Sequence, residues 1–177
     1  MNDPTQQFEI RQATVADAAV LAEFGARTFR DTFAKDNTPE DMDRHLAATW
    51  HPDLQRAEIQ DESLDTLLAW SGNALAGFAQ VRDRHGPECV PTRQPIELKR
   101  FYVDMPWQGR GLARALMNAV ETRARARGGR ELWLGVWERN ERAQAFYRKC
   151  GFEKVGTQIF IVGLDPQTDH VMLRQLA

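Results

Sequence analysis

The chain has 177 residues, of which 42% are hydrophobic and 27% charged, with four histidines, two cysteines and a net charge of −2. These values describe a globular chain able to bury a core of its own, and they exclude a disordered segment and a disulfide framework. A pI of about 6.1 excludes a nucleic-acid binder, and no apolar run approaches the length that spans a membrane.

The start, Met1 to Thr5, carries no basic stretch leading into an apolar one, so one domain over 1–177 and a cytoplasmic location are expected. Charge is unevenly spread. Residues 31–65 hold ten Asp/Glu against three Lys/Arg, and residues 90–150 hold thirteen Lys/Arg against six Asp/Glu. Such asymmetry marks two electrostatically different surfaces. Cys89 and Cys150 have no paired spacing, and the histidines at 45, 51, 85 and 170 have no metal-ligand spacing, so no metal is expected.

In chain order, Phe8 to Gln12 alternates and predicts a strand. Thr14 is a helix cap with Asp17 in the acidic capping position, and Val15 to Phe29 follows with a helical stripe. Thr38-Pro39 opens a second helix that carries Leu46 and Trp50 on one face, and His51-Pro52 ends or kinks it. Thr66–Trp70 and Leu75–Val81 flank Ser71-Gly72-Asn73 and predict a hairpin. A loop is expected from Arg82 to Pro95, then a strand from Ile96 to Val103. Gly109 to Arg127 is helical and stops at Gly128-Gly129. Leu132 to Trp137 reads as a buried strand, and Asn140 to Lys149 as a short helix ended at Gly151. Phe152–Val162 and Val171–Leu176 close the pattern as strands.

The densest chemical signal is Gln108-Gly109-Arg110-Gly111-Leu112-Ala113, set between a strand and a helix. Glycines there let the backbone approach a ligand, and a helix start offers free N–H groups at the positive end of its dipole. Together these features cradle a pyrophosphate. A Walker loop is absent, and the dinucleotide fingerprint lacks its third glycine, where Arg114 stands.

This loop resembles the coenzyme A loop of the GNAT acetyltransferases. A second motif, Asn140-x-x-Ala143-x-x-Phe146-Tyr147-x-x-x-Gly151-Phe152, is similar to that family's at every fixed position. Thr28 to Phe33, Leu132 to Trp137 and Gln167-Thr168-Asp169 look most like the branch of bacterial spermidine/spermine acetyltransferases. The resemblance implies an α/β (α+β) fold: a mixed, mostly antiparallel sheet of six or seven strands, helices on both faces, and parallel fourth and fifth strands that splay apart. It also implies acetyl-CoA as co-substrate. Main-chain groups of Phe101, Tyr102 and Val103 would meet its pantetheine arm. Gln108, Gly109, Arg110, Gly111, Leu112 and Ala113 would hold its pyrophosphate, with Arg114 and Asn140 beside them.

The same resemblance offers Glu97 as the base that deprotonates the amine and Tyr147 as the group that stabilises the departing thiolate. An alkyl amine is mostly protonated at neutral pH and must lose a proton before it attacks. On the residues alone, Glu97 could instead pair with Lys99, which shares its face. The acceptor expected is a small cationic amine, with a polyamine favoured by the acidic segment. A protein N-terminus, a lysine or an antibiotic amine stands as the alternative, and a non-catalytic acetyl-CoA sensor as the reading from another class. Open strand edges leave room for a homodimer.

Overall fold

The computed structural model describes residues 8–90 and 94–176. The start Met1 to Thr5, and positions 91–93 of the expected loop, lie outside the described residues. Seven strands form one sheet: β1 (Glu9–Gln12), β2 (Leu64–Ser71), β3 (Ala74–Asp83), β4 (Pro95–Val103), β5 (Glu131–Trp137), β6 (Glu153–Val162) and β7 (Asp165–Gln175). Their order is β1-β2-β3-β4-β5-β7-β6. Every neighbouring pair is antiparallel except β4 and β5. Among the described residues five α-helices accompany the sheet: α1 (Ala18–Phe33), α2 (Pro39–Thr49), α3 (Pro52–Gln60), α4 (Leu112–Ala126) and α5 (Glu141–Lys149).

The expected caps are in place. The Asp17 carboxylate accepts from the Thr14 backbone N–H at 2.7 Å and from the Thr14 hydroxyl at 3.0 Å. Thr38 accepts from Asp41 N, with Pro39 in the first helical turn. His51-Pro52 does end α2, but the chain starts another helix there, with His51 as its cap. The pattern of α3 hides it, because its fully buried residue is Gln55, whose side-chain amide donates to Thr49 O at 2.8 Å. β7 also begins earlier than its apolar residues suggest, at Asp165 rather than Val171.

Helices cover both faces. On one, α4 lays Leu112, Leu116, Met117, Val120 and Ala124 against the sheet, all fully buried. The larger of these contribute roughly 2 kcal/mol each. α5 adds Phe146 and Tyr147 to the same core. On the other face, α1 and α2 pack Leu21, Phe24, Phe29, Met42 and Leu46 around Phe78 and Leu68. Gly25 is required by this packing, since a Cβ there would lie 2.1 Å from the Trp50 ring.

A polar clamp ties α4 to the sheet edge. Asp65 of β2 is 3% exposed. It accepts from Arg123 at 2.8 Å, Arg127 at 2.7 Å and Gln12 at 3.1 Å. Burial alone would push its carboxyl up, but the two guanidinium groups outweigh burial and hold it low. Asp65→Ala would leave both arginines without this partner. We expect it to cost about 3 kcal/mol in urea unfolding; a loss well under 1 kcal/mol would show the clamp to be dispensable.

Candidate active site

β4 and β5 pair for only three residues, Pro95 to Glu97 against Glu131 to Trp133. Beyond that point the ladder stops and the strands diverge. A cleft of about 740 Å³ fills the opening, a size that suits a cofactor arm with a small acceptor. Phe101, Tyr102 and Val103 line its β4 side, and Gly135, Val136 and Trp137 its β5 side. Main chain that lacks a ladder partner is what an extended amide-bearing arm can bond to.

The strand itself is irregular here. Gln80 lies opposite Arg100 and Val81 opposite Leu98, so Lys99 is an extra residue. The bulge reverses the alternation. Leu98, Phe101 and Val103 belong to the α4 core, and Lys99, Arg100 and Tyr102 face the other side.

At the far end of β4, Asp104 caps a short turn at Met105–Trp107 and is held bidentately by Arg27 of α1, at 3.0 and 2.7 Å. Gln108 Nε2 donates back to Val103 O at 2.9 Å. Gly109 and Gly111 then take φ values of 75° and 85°, and nothing lies within 4 Å of where their side chains would begin. The glycines are therefore needed for backbone conformation, and the space above them is open. The first intrahelical bond of α4 runs from Ala115 N to Gly111 O at 3.1 Å. The amides of Leu112, Ala113 and Arg114 thus have no acceptor within the helix. These features fit a pyrophosphate on main-chain donors.

The side chains of the loop serve other ends. Leu112 is buried core. Arg110 lies over the Trp107 ring at 5.5 Å. Arg114 reaches Cys150 Sγ at 3.7 Å and Lys149 O at 3.4 Å, on α5. Asn140 caps α5 by accepting from Ala143 N at 3.2 Å, and it also lines the cleft.

Tyr147 projects from α5 into the cleft wall and is 8% exposed. Its ring meets Phe101 edge-on at 6.2 Å. Burial holds its phenol protonated, far above the ordinary range, with Tyr102 pushing the same way. Tyr102 stacks on Phe78 at 5.3 Å, and burial raises it to about 12.

Glu97 is elsewhere. It stands on the three-residue paired end of β4, opposite Arg82 of β3, and its carboxylate is bonded to the Arg82 guanidinium. Arg84 approaches the same oxygen at 3.8 Å. It lines a second chamber and not the cleft that holds Tyr147. Lys99, the alternative partner on its face, bonds to Glu58 of α3 instead.

Three carboxylates line the cleft, Asp31, Asp104 and Asp169; Asp104 is held by Arg27, and Asp169 of β7 lies opposite Trp137 of β5 and Gln158 of β6. It is 7% exposed. Burial raises it to about 6, and a hydrogen bond from Gln158 opposes the rise. Gly135 makes the room, since a Cβ there would lie 2.3 Å from Gln158 Nε2 and 3.0 Å from Asp169 Oδ2. The sequence signal was thin: an Asp beside a candidate last strand, with no apolar neighbours to place it on one.

The acidic segment is largely engaged. Glu40 pairs with Arg44, Asp53 with Arg56, Glu58 with Lys99 and Arg100, and Asp65 with α4. Asp41 accepts from Leu164 N at 2.8 Å. Of that segment's carboxylates only Asp31 lines the cleft.

A sheet split between parallel strands, with open helix-start amides on one side and a buried carboxylate on the other, is an arrangement that can hold an anionic ligand beside an ionisable group. The model of the Acetyltransferase (GNAT) family matches residues 27–152. An uncharacterized N-acetyltransferase in the pepI 3′ region of Lactobacillus delbrueckii subsp. lactis is 33% identical over 170 residues, covering 95% of this chain and 97% of that one. Aminoglycoside N(6′)-acetyltransferase type 1 of Stenotrophomonas maltophilia is 33% identical over 152 residues, 85% of this chain and 90% of that one. Among solved structures, the PaiA N-acetyltransferase of Thermoplasma acidophilum in complex with coenzyme A superposes with a TM-score of 0.76 at 20% identity, covering 95% and 98% of the two chains. The chain belongs to the GNAT acetyltransferase family and is an N-acetyltransferase. No helix among the described residues is long and apolar enough to cross a membrane.

Two outcomes follow from the carboxyl at 169. Removing its donor by Gln158→Leu should move its titration above about 6, as read by carbon NMR of the side-chain carboxyl. An unmoved titration would mean that Gln158 does not tune it. The raised value also sets a pH dependence of stability. The unfolded chain releases this proton near 3.8 and the folded one near 6, so stability falls as pH rises through that window and stays lower above it. Asp169→Asn should therefore melt higher than wild type at pH 8 and close to it at pH 4; equal gaps at both pH values would refute the raised value.

Proposed function

We propose that the protein transfers the acetyl group of acetyl-CoA to a primary amine by direct attack in a ternary complex. What carries this is the placement of an ionisable carboxylate and a protonated phenol in one cleft, beside a main-chain anion cradle. The cradle and the free edge of β4 would hold the pyrophosphate and pantetheine. Phe101, Tyr102 and Val103 supply that edge, and the amides at the start of α4 supply the cradle.

The acceptor arrives as a small cationic amine, protonated at neutral pH. A carboxyl with a pKa of about 6 is ionised there and still basic enough to take a proton, directly or through water. Asp169 fills this role in our reading, in place of the Glu97 that the resemblance suggested, because Glu97 is occupied by Arg82. The freed amine lone pair forms the C–N bond to the thioester carbonyl, and the C–S bond breaks. The nitrogen sheds its second proton as the C–S bond breaks; the departing thiolate accepts a hydrogen bond from the Tyr147 hydroxyl, which burial keeps protonated, and takes up that second proton to leave as the CoA thiol. The relative that acetylates aminoglycosides supports an amine as acceptor. A polyamine, a peptide N-terminus and an antibiotic amine all offer such a group.

A pure acetyl-CoA sensor would need neither side chain. Tyr147→Phe should bind acetyl-CoA normally and lose about tenfold or more in kcat. Asp169→Asn should lose about a hundredfold and lose the limb of the pH–rate profile near 6, with Glu97→Gln losing much less. A Glu97→Gln defect larger than that of Asp169→Asn would return the base to Glu97. Wild-type levels in both Tyr147→Phe and Asp169→Asn would favour the sensor.

A further inference from the structure

Beside the cleft lies a second chamber of about 580 Å³. Phe29, Lys99, Arg100, Tyr102 and Phe160 line both spaces, so the two are adjacent. Gln158, which bonds the Asp169 carboxylate, also stands in the chamber wall. The chamber thus abuts the place where the amine would be deprotonated.

Its electrostatics are one-sided. Four cations, Arg82, Arg84, Lys99 and Arg100, line it, and the β4 bulge is what brings Lys99 and Arg100 to the same side. Two carboxylates answer them. Glu97 holds Arg82, and Glu58 is shared between Lys99 and Arg100. Arg84 is left with Glu97 Oε2 at 3.8 Å, beyond hydrogen-bonding distance, on a half-exposed side chain. Burial first, and then the Arg100 charge, lower the pKa of His45 and disfavour its charged form. Lys99 feels the same surplus: burial first, and the Arg100 charge second, disfavour its ammonium form. Several like charges in a partly dry space are costly unless a counter-charge completes them. Trp50 and Trp133 close the walls, so the space suits a small group.

We propose that this chamber is the acceptor subsite and that it recognises a compact oxyanion, a carboxylate or a phosphate, carried by the amine to be acetylated. The proposal rests on the amine-acetyltransferase reading above. Arg84 supplies an open guanidinium fork for such a group, and Lys99 and Arg100 supply a cationic floor. A polycation such as spermidine would meet charge of its own sign in the chamber, which selects against it.

The test compares matched acceptors by release of free CoA: ω-amino carboxylates against the corresponding alkylamines, aminoalkyl phosphates against the corresponding amino alcohols, and spermidine. The anion-bearing member of at least one pair should be favoured tenfold or more in kcat/KM, about 1.4 kcal/mol, mostly through KM. The preference should shrink with added salt, and Arg84→Glu should reduce the ratio within the pair by tenfold. Which pair responds tells carboxylate from phosphate. Ratios near one in both pairs, or a preference for spermidine, overturn the proposal and leave the acetyltransferase reading standing. A second measurement is independent of turnover. With CoA saturating the pyrophosphate loop, inorganic phosphate is titrated against intrinsic tryptophan fluorescence, to which Trp50 and Trp133 contribute. A saturable change that Arg84→Glu abolishes upholds the anion subsite even if no amine is acetylated, and in that case it is amine transfer that falls. No saturable change, alongside an absence of turnover, overturns the subsite.

Discussion

The structure depends on one broken ladder. β4 and β5 are parallel neighbours that pair for three residues and then part. A sheet would ordinarily continue that pairing, since unpaired buried main chain is costly. Here the parting is enforced from both sides. On one face, Phe101, Phe146 and Tyr147 pack together between β4 and α5. On the other, Tyr102 is pinned between Phe78 and Trp50. The rings occupy the space that closure would need. β5 still satisfies its other edge fully against β7, over seven residues. The sheet therefore stays continuous at the base and open at the top, and ligand groups can complete what the strands leave undone.

The second device is the extra residue at Lys99. Without it, strict alternation along β4 from Leu98 would turn Phe101 away from the α4 core and bring Tyr102 into it. With it, the apolar side chains at 98, 101 and 103 share one side, and two adjacent cations share the other. One inserted residue thus shapes the wall of the cleft and the wall of the chamber together. The basic stretch 90–150 is likewise divided among several sites and is not a single patch. Arg123 and Arg127 are spent on Asp65 and Asp83, Arg114 on the end of α5, and Lys99 and Arg100 on the chamber.

Much of this was legible in the sequence because local rules and global fold agree between residues 97 and 152. Glycines stand where φ turns positive, at 109, 111, 128 and 151, and apolar spacing matches the element that follows each. Legibility fails where a residue's role depends on a distant partner. Glu97 reads as a base or as a partner of Lys99 until the β3–β4 register brings Arg82 opposite it. The acidic segment looks like a surface for cations until most of its carboxylates are seen to hold partners within the chain. α3 and the first half of β7 were missed for a related reason. Their inward positions are polar, Gln55 in one and Gln167 and Asp169 in the other, so apolar periodicity does not report them.

That last omission has a physical meaning. A strand that faces a core must be apolar on one side, whereas a strand that faces a cleft need not be. The half of β7 that lacks apolar alternation is the half that lines the opening, and it is there that a carboxylate is buried without a cation to neutralise it. Asp65, at similar exposure, has two arginines and is held low; Asp169 has one amide and is raised to about 6. The chamber's cations Arg82, Lys99 and Arg100 are bonded to other carboxylates. Arg100 is turned to Glu58 and Gln80 and stacks over Trp50 at 4.5 Å. An ion pair to Asp169 would stabilise the fold and remove the basicity that proton transfer requires. Keeping the cations across the Tyr102 ring leaves the carboxylate basic and the cations short of counter-charge. A single zwitterionic acceptor, with its amine at one and its oxyanion at the other, would satisfy both.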